Sequence, residues 1–165
     1  MKQMQLSLSL MLSMIVMAIS GSSAQTAYNK TGFYKAMATD NLQQVETQLK
    51  EAQAATGNDK TAILGTLTMK KAGLISGAGK KLKTFKAGHE QLEASITADK
   101  DNAEYRFMRL MIQEQAPGIL GYKGEIKNDS DYIRKSFKTL PKNVQEAIVN
   151  YAQTKSKALS AKDFN

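Results

Sequence analysis

Between Lys80 and Ala98, Leu82, Phe85, His89, Leu92 and Ile96 recur at alternating steps of three and four residues. That spacing lines one face of an α-helix, and the positions between are charged: Lys80, Lys81, Lys83, Lys86 and Glu90. No stretch alternates apolar and polar residues as a half-buried strand would. The chain also has no cysteine, so helices must hold one another by packing alone, without disulfide bonds.

The same period maps the rest of the chain. Gln25 to Thr31 is expected as a loose arm. A short helix, a turn and a longer helix follow, the second capped by Asp40 with Gln43 as its capping-box partner. Leu42, Val45, Leu49 and Ala52 share its inner face. A third helix is expected from about Asp59 to Leu74, with Leu64, Leu67 and Leu74 inward. It ends at Ser76-Gly77-Ala78-Gly79, and the fourth runs from about Lys80 to Ala98. Asp101 is expected to cap a fifth helix with Glu104 closing the box. That helix is apolar on several sides, through Tyr105, Phe107, Met108, Leu110, Met111 and Ile112, and is placed centrally. Pro117, Gly118, Gly121 and Gly124 mark an irregular connector whose Ile119–Tyr122 segment should pack down as a helical turn. A sixth helix starts near Asp129 and carries Tyr132, Ile133, Phe137 and Leu140. Pro141 separates it from a last helix with Val144, Ile148 and Tyr151 inward, and the tail should fray. Short connections make successive helices antiparallel neighbours. The expected fold is an all-α array or bundle of about six to seven helices packed as helical hairpins, in one domain over residues 25–165.

The N-terminus carries Lys2, then an apolar run diluted by serine from Leu6 to Ile19, then the small residues Ser22 and Ala24. This is the three-part pattern of a secretory signal peptide over residues 1–24, with cleavage between Ala24 and Gln25. The run falls short of the ~20 residues of a bilayer-spanning helix. The expected product is exported, periplasmic or extracellular, with no transmembrane anchor left after cleavage. Lys2 is the only charged residue of the leader, so removal lowers the net charge of +8 by one. A basic exported protein can adhere to anionic lipid headgroups, envelope polysaccharide or nucleic acid.

At Ile96–Met108 the sequence ITADKDNAEYRFM resembles a tetratricopeptide (TPR) repeat junction. Asp99, Asn102 and Ala103 match, Lys100 stands where that family has proline, and Ser95, Leu92 and Gly88 fall near its small, large and small positions. The Ser76–Gly79 break interrupts what would be the first helix of the repeat, and no second copy at the same period appears. The resemblance covers one helix pair and leaves TPR-like packing open. The segments AEYRFMRLMIQEQAPGILGYK and DYIRKSF, with the Ala-Gln junction after the leader, are similar to exported all-helical proteins of Bacteroidota. That resemblance implies a bacterial envelope setting and carries over no catalytic residue.

Gly77, Gly79, Lys80 and Lys81 suggest a phosphate loop, but the spacing fails. Counting back from Gly79, the required first glycine falls on Leu74, and Lys81 stands where a magnesium-binding hydroxyl is needed. A turn between helices with a glycine cap accounts for the stretch, and no nucleotide is expected. His89 sits on the apolar stripe of its helix, the place of a core-edge residue. Without cysteine and with one histidine, the usual zinc and copper sites lack their ligands, and neither metal nor cofactor is expected. Glu104 and Glu114 are the best carboxylates for glycan hydrolysis, yet each has a helix-terminal explanation.

The expected function is therefore that of an exported, non-enzymatic interaction or scaffold module of the bacterial envelope, with another protein as partner. Its candidate binding residues are Lys70, Lys71, Lys80, Lys81, Lys83 and Lys86 around the Ile75–Lys80 turn, and Pro117 and Tyr122 in the glycine-rich connector. Adhesion to an anionic envelope surface through the lysines is the first alternative, and a cell-wall glycan hydrolase the second.

Overall fold

The computed structural model describes residues 28–164, and among these the fold is all-α, with seven packed α-helices and no strand. They are α1 (Lys30–Ala38), α2 (Leu42–Glu51), α3 (Gly57–Leu74), α4 (Ala78–Ala98), α5 (Ala103–Gln115), α6 (Ile126–Ser136) and α7 (Lys142–Thr154). Short 3-10 turns lie at Ala52–Ala54, Gly118–Leu120, Phe137–Thr139 and Ala161–Phe164. The expected leader and its cleavage between Ala24 and Gln25 lie outside the described residues. No described helix is long and apolar enough to cross a membrane.

The two longest helices, α3 and α4, form a hairpin whose crossing is set by glycine. A Cβ on Gly88 would lie 2.5 Å from the Gly65 carbonyl oxygen, and one on Gly65 would lie 2.7 Å from that of Gly88. Both are backbone atoms that cannot swing away, so the helices touch main chain to main chain. Asn58 Nδ2 donates to the Ser95 carbonyl at 2.9 Å and ties the hairpin's open end. At its closed end Gly77 adopts φ +89°, a conformation costly for any residue with a Cβ, which lets the chain reverse before α4.

Helix α5 runs through the centre, with ten of its thirteen residues buried. Phe107 packs between Tyr34 of α1 and Tyr151 of α7, with ring centroids 5.8 and 5.7 Å away. Full burial of Phe33, Phe107, Leu67 or Leu110 contributes on the order of 1.5–3 kcal/mol per side chain.

Several local expectations are corrected. Asn41, not Asp40, caps α2 by accepting from the Gln44 amide, because Asp40 is drawn to Lys70 at 2.8 Å. Asn102, not Asp101, caps α5, accepting from the Glu104 and Tyr105 amides, while the Glu104 carboxylate turns to Lys30 and Tyr34. Helices α3, α4 and α6 begin two to three residues early, α6 at Ile126, because Asp129 serves as an ion partner inside the helix. The arm is shorter than expected: α1 starts at Lys30, and the Tyr28 hydroxyl donates to Gln48 at 2.8 Å. The tail does not fray up to Phe164. That ring packs 4.5 Å from Phe137, Asp163 pairs with Arg134 at 3.0 Å, and Glu114 accepts from the Ser156 hydroxyl and the Lys157 and Ala158 amides.

The glycine crossing predicts that Gly88→Ala lowers stability by about 1–3 kcal/mol, the usual cost of overpacking. A Cβ on Gly73, near the end of α3, meets nothing within 4 Å, so Gly73→Ala should be neutral or stabilising by up to about 1 kcal/mol. Urea denaturation of both variants checks the pair; equal effects would contradict the crossing.

Candidate functional site

The closed end of the α3–α4 hairpin leaves a recess of about 880 Å3. Its floor is made of Met37, Met69, Ala72, Met111, Ile112 and Ala116, all buried. Leu74, Phe85 and Leu120 form half-buried walls, and Leu82, Pro117 and Ile119 stand at the rim. Ile119 is 95% exposed and Leu82 43%, and they are the exposed large apolar side chains among the described residues. Two expectations change here. Leu82 does not join the core, and of the Ile119–Tyr122 segment only part packs down: the 3-10 turn covers Gly118–Leu120 and keeps Ile119 in solvent, while Tyr122 is packed against the core.

The recess follows from helix lengths. Arg109 of α5 meets Glu93 of α4 at 2.8 Å. From Glu93 back to Ala78, α4 extends ~22 Å, while from Arg109 on to Gln115, α5 extends only ~9 Å, at ~1.5 Å per residue. Pro117 stops α5 there, because the residue before a proline leaves the helical region. The first turns of α4 thus outrun their central partner, and on the side where α5 would lie only the connector stands beside them.

Polar groups sit at the edge. Lys70 pairs with Asp40 at 2.8 Å and holds that carboxyl below the ordinary range, first by its hydrogen bond and then by its charge. Lys71 pairs with Glu46 at 2.8 Å. Lys81 reaches only the Gly73 carbonyl, at 3.4 Å. Lys80, Lys81, Lys83 and Lys86 are exposed and take part in none of the ion pairs among the described residues. The expected lysine cluster therefore divides: the α3 lysines are neutralised by Asp40 of the α1–α2 turn and Glu46 of α2, while those of α4 keep their charge facing water. Of the six, Lys70 and Lys81 line the recess.

Tyr122 lies apart from the recess, as a clasp for the connector. Its hydroxyl donates to Glu93 at 2.6 Å, and its ring meets His89 edge-on at 4.6 Å and Phe85 at 5.6 Å. Burial, and then the Glu93 hydrogen bond and charge, push the phenol well above its ordinary value. His89 is half-buried in this aromatic cluster. Beneath it, Arg109 grips Asp129 through two hydrogen bonds of 2.7 and 2.8 Å, and Arg106 adds a third at 3.2 Å. The network joins α4, α5, the connector and α6, and gave no sequence signal because its members lie far apart in the chain.

A second polar cluster surrounds Lys30, which bridges Asp59 at 2.9 Å and Glu104 at 2.8 Å. Tyr105 donates to Asp59 at 2.6 Å and Tyr34 to Glu104 at 2.7 Å. Burial by itself pushes the Asp59 carboxyl up, but the hydrogen bonds from Tyr105 and Lys30 and the Lys30 charge hold it below the ordinary range. These groups satisfy one another and pin α1 to α3 and α5. Glu104 and Glu114 lie on one helix and serve separate tasks, the first in this cluster and the second holding the tail. Among the described residues no three His, Cys, Asp or Glu side chains gather to hold a metal ion. The chain matches no family model, no curated protein and no solved structure.

Arg109→Met leaves Asp129, 0% exposed, without its main partner and should cost about 3–5 kcal/mol. Lys127→Met, which breaks an exposed pair with Asp131, should cost less than about 1 kcal/mol. Because the folded-state pKa of Asp59 is depressed, its contribution is present above the unfolded value of ~3.9 and is lost as pH falls through the folded value. Thermal melts from pH 5 to pH 2 should thus show a shallower acid loss in Lys30→Met than in the unaltered protein. An identical slope would contradict the pairing.

Proposed function

We propose that this chain is a non-enzymatic binding module of the bacterial envelope, and that the closed end of the α3–α4 hairpin is the surface with which it holds its partner. The recess carries this reading. It is apolar, its volume falls within the ~300–1,000 Å3 of ligand-binding clefts, and a few polar groups stand at its edge. Methionine makes up much of its floor, and that unbranched, polarizable side chain reshapes around different occupants. The leader pattern supports export, and the polar clusters support a scaffold role because their members are engaged with one another.

The unpaired lysines of α4 favour a second reading, adhesion to an anionic envelope surface. Attraction between exposed charges weakens steeply with salt, whereas contact through the apolar recess does not.

A photo-crosslinking amino acid at Ile119 or Leu82 should capture a partner in intact cells and at near-physiological salt. The same group at Thr97, exposed ~22 Å away at the other end of α4, should not. Equal capture at all three positions, or none at the recess, would overturn the proposal.

A further inference from the structure

We infer that the recess takes a single long acyl chain bearing an anionic head, a fatty-acid-like amphiphile. This rests on the binding reading above and names its ligand. Size restricts the occupant first. A methylene fills about the volume of a water molecule, ~30 Å3, so a sixteen-carbon chain occupies ~500 Å3 and two such chains ~1,000 Å3. The recess, at about 880 Å3, has room for one such chain.

Lining chemistry restricts it further. The floor of Met37, Met69, Ala72, Met111, Ile112 and Ala116 offers no side-chain hydrogen-bonding group, which suits a hydrocarbon tail. Polarity is confined to the edge, and its charge is not balanced there. Asp40 is already neutralised by Lys70, so Lys81 remains as a lining cation without a carboxylate partner, with Lys80 and Lys83 beside it in the sequence. Helix α4 also begins at this edge, through Ala78, and the positive end of its dipole adds to the lysines. An apolar floor beneath a cationic rim complements an amphiphile with a negative head. A neutral chain leaves the rim's charge unused, and a free anion leaves the floor unused.

The test uses palmitate, titrated calorimetrically below its critical micelle concentration, with the methionine methyl resonances followed by NMR. Saturable binding of one palmitate per chain is expected, with shifts at Met37, Met69 and Met111. Hexadecanol, with the same tail and no charge, should bind about threefold to fivefold more weakly, and so should palmitate to the triple variant Lys80→Gln, Lys81→Gln, Lys83→Gln. Leu82→Asp with Ile119→Asp, both on exposed positions that leave the core intact, should abolish binding without changing the circular dichroism.

Absence of palmitate binding overturns the inference, as does binding that survives the Leu82→Asp, Ile119→Asp change. Binding to phosphatidylglycerol vesicles that matches palmitate binding and ignores that change also overturns it, in favour of headgroup adhesion. If a partner crosslinks at Ile119 while palmitate fails to bind, the ligand class falls and the binding module stands. If neither occurs, both fall.

Discussion

Everything in this molecule hangs from the contact of Gly65 with Gly88. The space between them excludes even a methyl group, so α3 and α4 meet at main-chain distance and behave as one rigid hairpin. Glycine is a poor helix former, by about 1 kcal/mol relative to alanine, and both sit in helix interiors. Their presence makes sense only through the packing they allow. Once the hairpin is fixed, α5 lies against it, with Arg109 joining Glu93 of α4 to Asp129 of α6.

The recess is the remainder of that arrangement. Pro117 stops α5 after Gln115, while α4 continues toward the turn. Its apolar stripe therefore runs past the element that would cover it. Leu82 belongs to that uncovered part, which is why a residue at core spacing lies in solvent. Tyr122 holds the connector back against Glu93 and His89, so Gly118–Leu120 stays beside the gap without filling it. A pocket created by unequal helix lengths needs no special residues, only a partner helix that ends too soon.

Helix periodicity made the architecture legible, because the three- and four-residue steps through Leu82 to Ile96 and the dense apolar run of α5 admit few other folds. Caps were harder to read. Asp40 and Asp101 each stand next to an asparagine, and spacing does not decide between adjacent capping residues when one is claimed by an ion pair, as Lys70 claims Asp40. The docked tail and the Arg109–Asp129 pair depend on contacts between distant parts of the chain, which local patterns do not encode. The lysines and the two glycine-rich segments were visible in the sequence as candidates. That Asp40 and Glu46 neutralise two of those six lysines, and that methionines from three helices floor a recess beside the rest, emerges only from tertiary packing.

The central claim is that hairpin and central helix leave an apolar recess at the closed end. A crystal pressurised with xenon tests it most directly, because xenon occupies apolar voids with little disturbance of the protein. The account predicts xenon beside Met69 and Met111, with Leu82 and Ile119 still at the rim. A closed end in which those two side chains have folded inward, leaving no xenon site, would contradict it.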